Sequence, residues 1–197
     1  MPKVTDEHRT ARRSQIVEAA RRCVIAQGFH KTTMADVIKE SGLSAGAVYS
    51  YFKSKEELVA AIADEALGSV DQVFRAILAS AEPVTPVNAL RTALEYVVTA
   101  AEGPEGDVTR VGVQAWAEAL HNEAIYATAS SKYALLRGYF VDVADRAKAD
   151  GTIAADADSQ QVAQVLFGLI PGFVLQRLIL GDVTPAGYTA GLAALIR

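Results

Sequence analysis

The sequence predicts an all-α protein of about nine helices, and three observations carry that prediction. Apolar residues recur at three- and four-residue spacing along the whole chain. No segment alternates apolar and polar residues strictly, as a half-buried strand would. Residues that start and stop helices fall between the apolar stripes. The chain has 197 residues, 51% hydrophobic and 21% charged, an ordinary globular balance that can bury a core without disulfide staples.

Taken in order, Ile16, Ala20, Cys23, Val24 and Gln27 form one stripe of a first helix, and Gly28 fits its C-cap. Thr33 opens a short second helix to about Ser41, with Asp36 placed for a capping box. Gly42-Leu43 breaks the chain, and Ser44 caps a third helix from Ala45 to Phe52. Ser54-Lys55-Glu56-Glu57 is a full capping box, and opens a long fourth helix with the stripe Leu58, Ile62, Val70, Phe74, Ile77 and Leu78. Thr85-Pro86 starts a fifth through Leu90 and Leu94, stopped by Gly103-Pro104-Glu105-Gly106. Asp107 opens a sixth carrying Val111, Trp116 and Leu120, with His121 placed in it. A seventh carries Tyr133, Phe140 and Val143 and ends at Gly151. Asp158 caps an eighth running to about Leu180, and Thr184-Pro185 opens a ninth with Leu192, Leu195 and Ile196.

One cysteine, Cys23, allows no intrachain disulfide, and the natural setting is reducing and cytoplasmic. The opening residues, with Lys3, Arg9, Arg12 and Arg13, contain no apolar run, so no secretory signal is expected. The longest apolar stretch, Val165 to Leu175, is eleven residues with a proline inside it, too short to span a bilayer. Net charge is −4, but residues 1–55 hold ten Lys/Arg against five Asp/Glu, while residues 56–197 hold nine against eighteen. A basic quarter on an acidic body is the pattern of a chain that meets a polyanion at one end, although clustered surface charge gives the same count.

The chemistry concentrates in Met34 to Phe52. A helix of about eight residues, a turn at Gly42 and a second short helix make helix-turn-helix geometry. The turn needs a glycine because its φ is expected to be positive. Val37, Ile38, Leu43 and Val48 are spaced to form the shared core. The second helix of the pair shows Ser44, Ala45, Gly46, Ala47 and Ser50, all small, beside Tyr49 and Tyr51. A small-faced helix enters a DNA major groove closely, and hydroxyls reach phosphates or base edges. Thr33 at a helix start with Lys31 nearby makes an anion site, and Lys55 can hold a further phosphate. The same residues also fit a plain helical hairpin with core tyrosines.

The run Gly28-Phe29-His30-Lys31-Thr32-Thr33, then Val37-Ile38, then Gly42 to Leu58 resembles the N-terminal domain of the TetR family of bacterial transcriptional regulators, over about residues 10–60. The resemblance implies a homodimer on a palindromic operator in double-stranded DNA, usually repressing. It implies a helix-turn-helix domain at 1–53 and a helical ligand-binding and dimerisation domain at 54–197. It gives Thr33, Tyr49 and Lys55 phosphate contacts, makes Ser44, Ala45, Gly46 and Ala47 groove-facing, and sets Tyr51 where a His or Tyr often stands. Ile38 departs from the family, which often has Ala there. The absence of a long polar side chain at 44–47 limits bidentate base readout and gives more weight to backbone contacts, thymine methyls and DNA shape.

Beyond residue 85 the signals are weaker. Tyr96, Trp116, Tyr133, Phe140 and Phe167 are candidate ligand-lining residues, with His121, Tyr126, Phe173, Gln164 and Gln176 in a wider set. Each is more readily read as core, since an aromatic at helical spacing usually is. The eighth helix is apolar nearly all round, so it belongs between its own core and a partner. The resemblance implies that the last two helices form the dimer interface. Enzyme signals are poor: the three histidines share no helical face, Cys23 lies on an apolar stripe, and neither a phosphate-cradling glycine loop nor a G-x-S-x-G elbow is present. No cofactor or metal is expected. The resulting expectation is a repressor released from DNA by an unidentified small-molecule effector. An activator, and a ligand-binding helical protein without operator binding, are the alternatives.

Overall fold

The computed structural model describes residues 6–103 and 106–196. Lys3, Pro104 and Glu105, which figure in the sequence expectations, lie outside the described residues. Among the described residues there are ten helices and no strands: α1 (Asp6–Gln27), α2 (Met34–Ser41), α3 (Ala45–Tyr51), α4 (Lys55–Ala66), α5 (Val70–Leu78), α6 (Pro86–Ala101), α7 (Val108–Ala119), α8 (Glu123–Ala149), α9 (Ser159–Ile179) and α10 (Pro185–Leu195).

Local chemistry explains most of the boundaries. Thr33, Ser44, Ser54, Asp107, Asp158 and Thr184 each cap a helix by accepting from a backbone N–H that has no intrahelical partner. Ser54 accepts from the Glu57 N–H at 3.3 Å, and the Glu57 carboxylate takes the Lys53 N–H rather than that of Ser54. The expected long fourth helix is two helices, α4 and α5, separated by a turn at 67–69. Gly68 is a poor helix former, costing about 1 kcal/mol against alanine, and Ser69 opens α5 with no side-chain cap. His121 falls in the turn after α7 and is exposed, outside the helix assigned to it.

The chain packs as two compact units, Met1–Leu67 with Ala101–Ala129, and Gly68–Ala100 with Ser130–Arg197. The first unit is built on a core of Ile16, Val17, Ala20 and Val24 from α1, Val37, Val48, Phe52, and Leu58, Val59 and Ile62 from α4. Val111 of α7 and Ile125 of α8 complete it. In the second unit Phe74, Leu90, Leu94, Phe140, Val143, Ala147, Phe173 and Val174 are buried. Arg146 fastens its edge, donating from Nε to both Asp150 carboxylate oxygens at 2.9 Å and from its terminal nitrogens to the Leu78 and Ser80 carbonyls. Asp150 in turn accepts from the Val84 N–H at 2.8 Å, so the loop before α6 is tied to the end of α8.

Helix α9 buries Ala163, Leu166, Phe173 and Val174, while Val165 is 63% and Ile179 75% exposed. In this single chain only part of its apolar surface is therefore covered. By length and composition α9, at 21 residues, is long and apolar enough to cross a membrane, although the uninterrupted run inside it is not.

Candidate nucleic-acid interface

The α2–α3 pair is positioned from the chain upward. Gly42 adopts φ +67°, and its N–H bonds to the Lys39 carbonyl at 3.3 Å, ending α2 in the left-handed conformation. Val37 and Val48 are fully buried, and Ile38 and Leu43 pack on the same cluster, so the four form the shared core their spacing predicts. A Gln15 amide nitrogen from α1 donates to the Ser41 carbonyl at 2.7 Å and pins the turn to α1.

This leaves one side of α3 open. Ser44, Ala45 and Gly46 are exposed, and Ala47 is half-buried. Ser44 Oγ accepts from the Ala47 N–H, and Ser50 Oγ donates to the Ala47 carbonyl at 2.6 Å. Tyr49 is exposed, whereas Tyr51 packs partly against the core. The two tyrosines thus divide, one toward solvent and one toward the interior. The surface is of small groups over a rigid helix, which permits close approach of a duplex.

Two of the expected anion-binding residues, Thr33 and Lys55, have internal partners. Thr33 donates from its N–H and its hydroxyl to one Asp36 carboxylate oxygen at 2.9 and 2.7 Å, and accepts from the Asp36 N–H. The two bonds from Thr33 hold the Asp36 carboxyl below the usual carboxylate range. Both Thr33 donors therefore already serve a carboxylate. Lys31 is exposed on the preceding turn. Lys55 Nζ donates to the Phe29 carbonyl at 2.8 Å and sits 4.1 Å from the Phe29 ring centroid. An ammonium has three donors, so this bond still leaves capacity for a phosphate.

Sequence reasoning missed how α7 enters this unit. Gln114 Oε1 accepts from the Phe29 N–H at 2.6 Å, a His30 nitrogen lies 3.0 Å from Glu118, and Asn122 donates to Glu56. The Glu56 carboxyl is held low chiefly by its own backbone N–H. Gln114, a polar residue between Val111 and Ala115 on the sixth stripe, was the available signal.

The ligand candidates do not gather in one unit. Trp116 lies on α7 in the first unit, and Tyr96, Tyr133, Phe140 and Phe167 lie in the second. Tyr133 and Phe167 meet edge to face with centroids 4.7 Å apart, and burial pushes the Tyr133 hydroxyl up to about 12. Burial also raises Tyr96, on α6. Phe140 is a core residue, 1% exposed and edge-on to Phe74. A separate cleft of about 480 Å³ opens in the second unit, lined by Leu169, Val183, Thr184, Tyr188, Leu192 and Leu195 among others. The Tyr188 hydroxyl donates to the Leu169 carbonyl at 3.3 Å on its wall.

Residues 16–62 match the model for bacterial regulatory proteins of the tetR family, and residues 86–197 match that for the C-terminal part of BetI-type transcriptional repressors. The HTH-type transcriptional regulator YfiR of Bacillus subtilis is 46% identical over 81 residues, an alignment spanning 41% of this chain and 38% of YfiR. The chain thus spans little more than a third of the length of the first curated relatives it matches. The regulator UidR of Escherichia coli is 28% identical over 185 residues, covering 93% of this chain and 90% of UidR. Among solved structures, GusR of Salmonella enterica superposes with a TM-score of 0.75 at 26% identity, covering 98% of both chains. The chain belongs to the TetR family of bacterial transcriptional regulators.

Proposed function

We propose that the protein is a repressor that binds a palindromic operator as a homodimer and is released by a small molecule. The observation that carries this reading is the open face of α3: a helix fixed on its buried side by Val48 and showing Ser44, Ala45, Gly46, Tyr49 and Ser50 outward. Lys31, Tyr49 and Lys55 serve the phosphates, Thr33 doing so only by giving up a bond to Asp36, and Ser44, Ala45, Gly46 and Ala47 face the groove, with Tyr51 supporting α3 from its partly buried position. Residues 1–53 carry the reading surface, on a compact unit that α4 and α7 complete, and effector binding and dimerisation fall to the rest of 54–197.

The exposed apolar residues of α9 and its surroundings support dimerisation there. Val165, Leu175, Ile179, Leu180, Leu195 and Ile196 are each at least 39% exposed in the single chain. A second copy removes this surface from water at about 25 cal/mol per Å² of apolar area. Gln160, Gln161, Gln164, Gln176 and Arg177 on the same helix favour a protein partner over lipid, in keeping with a cytoplasmic protein. The 480 Å³ cleft beside Leu169, Tyr188 and Leu192 has room for an effector, and Tyr133 and Phe167 are kept as candidate lining residues. Release from DNA requires the effector to prefer the non-binding arrangement by only about 1–3 kcal/mol.

The test is selection of bound DNA from a random duplex pool, with a salt series on the selected sequences. A palindromic product, lost on adding a compound found by thermal-shift screening, is the expected result. Uniform, steeply salt-dependent binding without enrichment removes the operator. In cells, transcription that falls when the protein is deleted marks an activator.

A further inference from the structure

The recognition helix offers no long polar side chain at 44–47, yet one stands beside it. Arg12 donates from a terminal guanidinium nitrogen to Gln15 Oε1 at 2.7 Å. The same Gln15 amide donates through nitrogen to the Ser41 carbonyl at 2.7 Å. Ser41 is the last residue of α2, three residues before the Ser44 cap of α3. One side-chain relay therefore sets the Arg12 guanidinium next to the helix-turn-helix turn.

The rest of the basic cluster on α1 is arranged differently. Arg13 lies over the Phe52 ring at 5.4 Å and 3.6 Å from Glu65, so it is committed to α4. Arg21 is also paired with Glu65. Arg9 lies about one helical turn before Arg12 on the same face and is exposed, in the stretch of α1 that precedes the first buried residue, Ile16. Arg9, Arg12 and Gln15 thus form a stripe leading to the turn. Asp6 and Glu7, in the first turn of α1, mark its acidic end.

We infer that Arg9 and Arg12 of α1 contact the phosphodiester backbone of duplex DNA at the flank of the site read by α3. The inference rests on the proposed DNA binding and extends it to a second element. A guanidinium held by one hydrogen bond keeps four of its five N–H donors, and its planar fork fits two phosphate oxygens. The relay holds Arg12 in place before DNA arrives, which reduces the side-chain entropy lost on contact. The division of labour is physical. The small residues of α3 let the groove come close, and the long cations of α1 supply the charge that α3 lacks.

The experiment compares the full-length wild type with R12A, R12K and R9A on the selected duplex and on an unrelated one, across a salt series, with thermal melts of each protein alone. R12A is expected to weaken both duplexes alike, by about three- to tenfold per protomer at moderate salt, and to lower the salt slope by about one per protomer. R9A follows in the same direction, and R12K keeps most of the slope because it keeps the charge. A wild-type slope in R12A and R9A overturns the inference. So does a loss that R12K fails to restore and that tracks a lowered melting temperature, since that is the mark of a strut for Gln15. A wild type that enriches no sequence overturns the operator reading itself, a result independent of the variants.

Discussion

Gly42 and Gly46 stand four residues apart, and the same substitution should have opposite effects at the two positions. At Gly42 φ is +67°, and a Cβ built there meets no atom within 4 Å. The cost of Gly42→Ala is therefore conformational alone, about 1–2 kcal/mol for an L-residue in the left-handed region. Reduced freedom of the unfolded chain returns a fraction of that, leaving a net loss of about 1 kcal/mol. In a chain of this size that lowers the melting temperature by about 2–4 °C. Gly46 also meets nothing within 4 Å, but it lies inside α3 with no positive φ. Gly46→Ala should stabilise the fold, by up to about 0.5–1 kcal/mol, while placing a methyl on the exposed face and weakening binding to the selected duplex. Thermal and urea melts of both variants, together with Gly42→Asn, read the stability. Asn tolerates the left-handed region and should lose less than Ala. A Gly42→Ala protein as stable as wild type would refute the conformational argument for the turn. A Gly46→Ala protein that binds DNA unchanged would refute the close approach assigned to α3.

Three further outcomes are expected. Lys55→Ala should weaken all duplexes alike and lower the salt slope by about one per protomer; loss of affinity at a single operator base would contradict its phosphate role. It should also loosen the turn at Phe29, whose carbonyl and ring it holds, visible as faster amide exchange there. The Asp36 carboxyl is held low in the folded state, so its bonds to Thr33 stabilise the fold above the ordinary carboxylate pKa and are lost as pH falls through the lowered value. Acid unfolding of Asp36→Asn should accordingly show a shallower loss below about pH 4 than wild type, and an identical profile would contradict the assignment. Ile179→Arg or Leu195→Glu, at positions 75% and 83% exposed in the single chain, should leave the helical content intact and shift sedimentation from dimer to monomer. Unchanged sedimentation in both would move the interface elsewhere.

The comparison of chain and fold divides along a physical line. Helix starts were legible because a cap acts within three residues: Thr33, Ser44, Ser54, Asp107, Asp158 and Thr184 satisfy backbone groups that are their close neighbours in sequence. The left-handed turn at Gly42 was legible for the same reason, and so was the small face of α3. The break at Gly68 was not, because the apolar spacing of Ile62, Val70 and Phe74 runs through it and hides the turn. Nor could spacing show that α7 packs with α1 and α4, that Gln114 takes the Phe29 N–H, or that Arg12 and Gln15 reach Ser41. The position of Lys55 marks it as a phosphate holder, and only the fold brings the Phe29 carbonyl and ring against it. By itself the sequence determined the all-α class, most helix starts and the small exposed face of α3, since these follow from hydrogen bonds and φ preferences within a few residues. Tertiary structure decided which helices share a core and which polar side chains are already partnered, because those contacts join residues whose separation along the chain, 85 between Phe29 and Gln114, leaves no local trace.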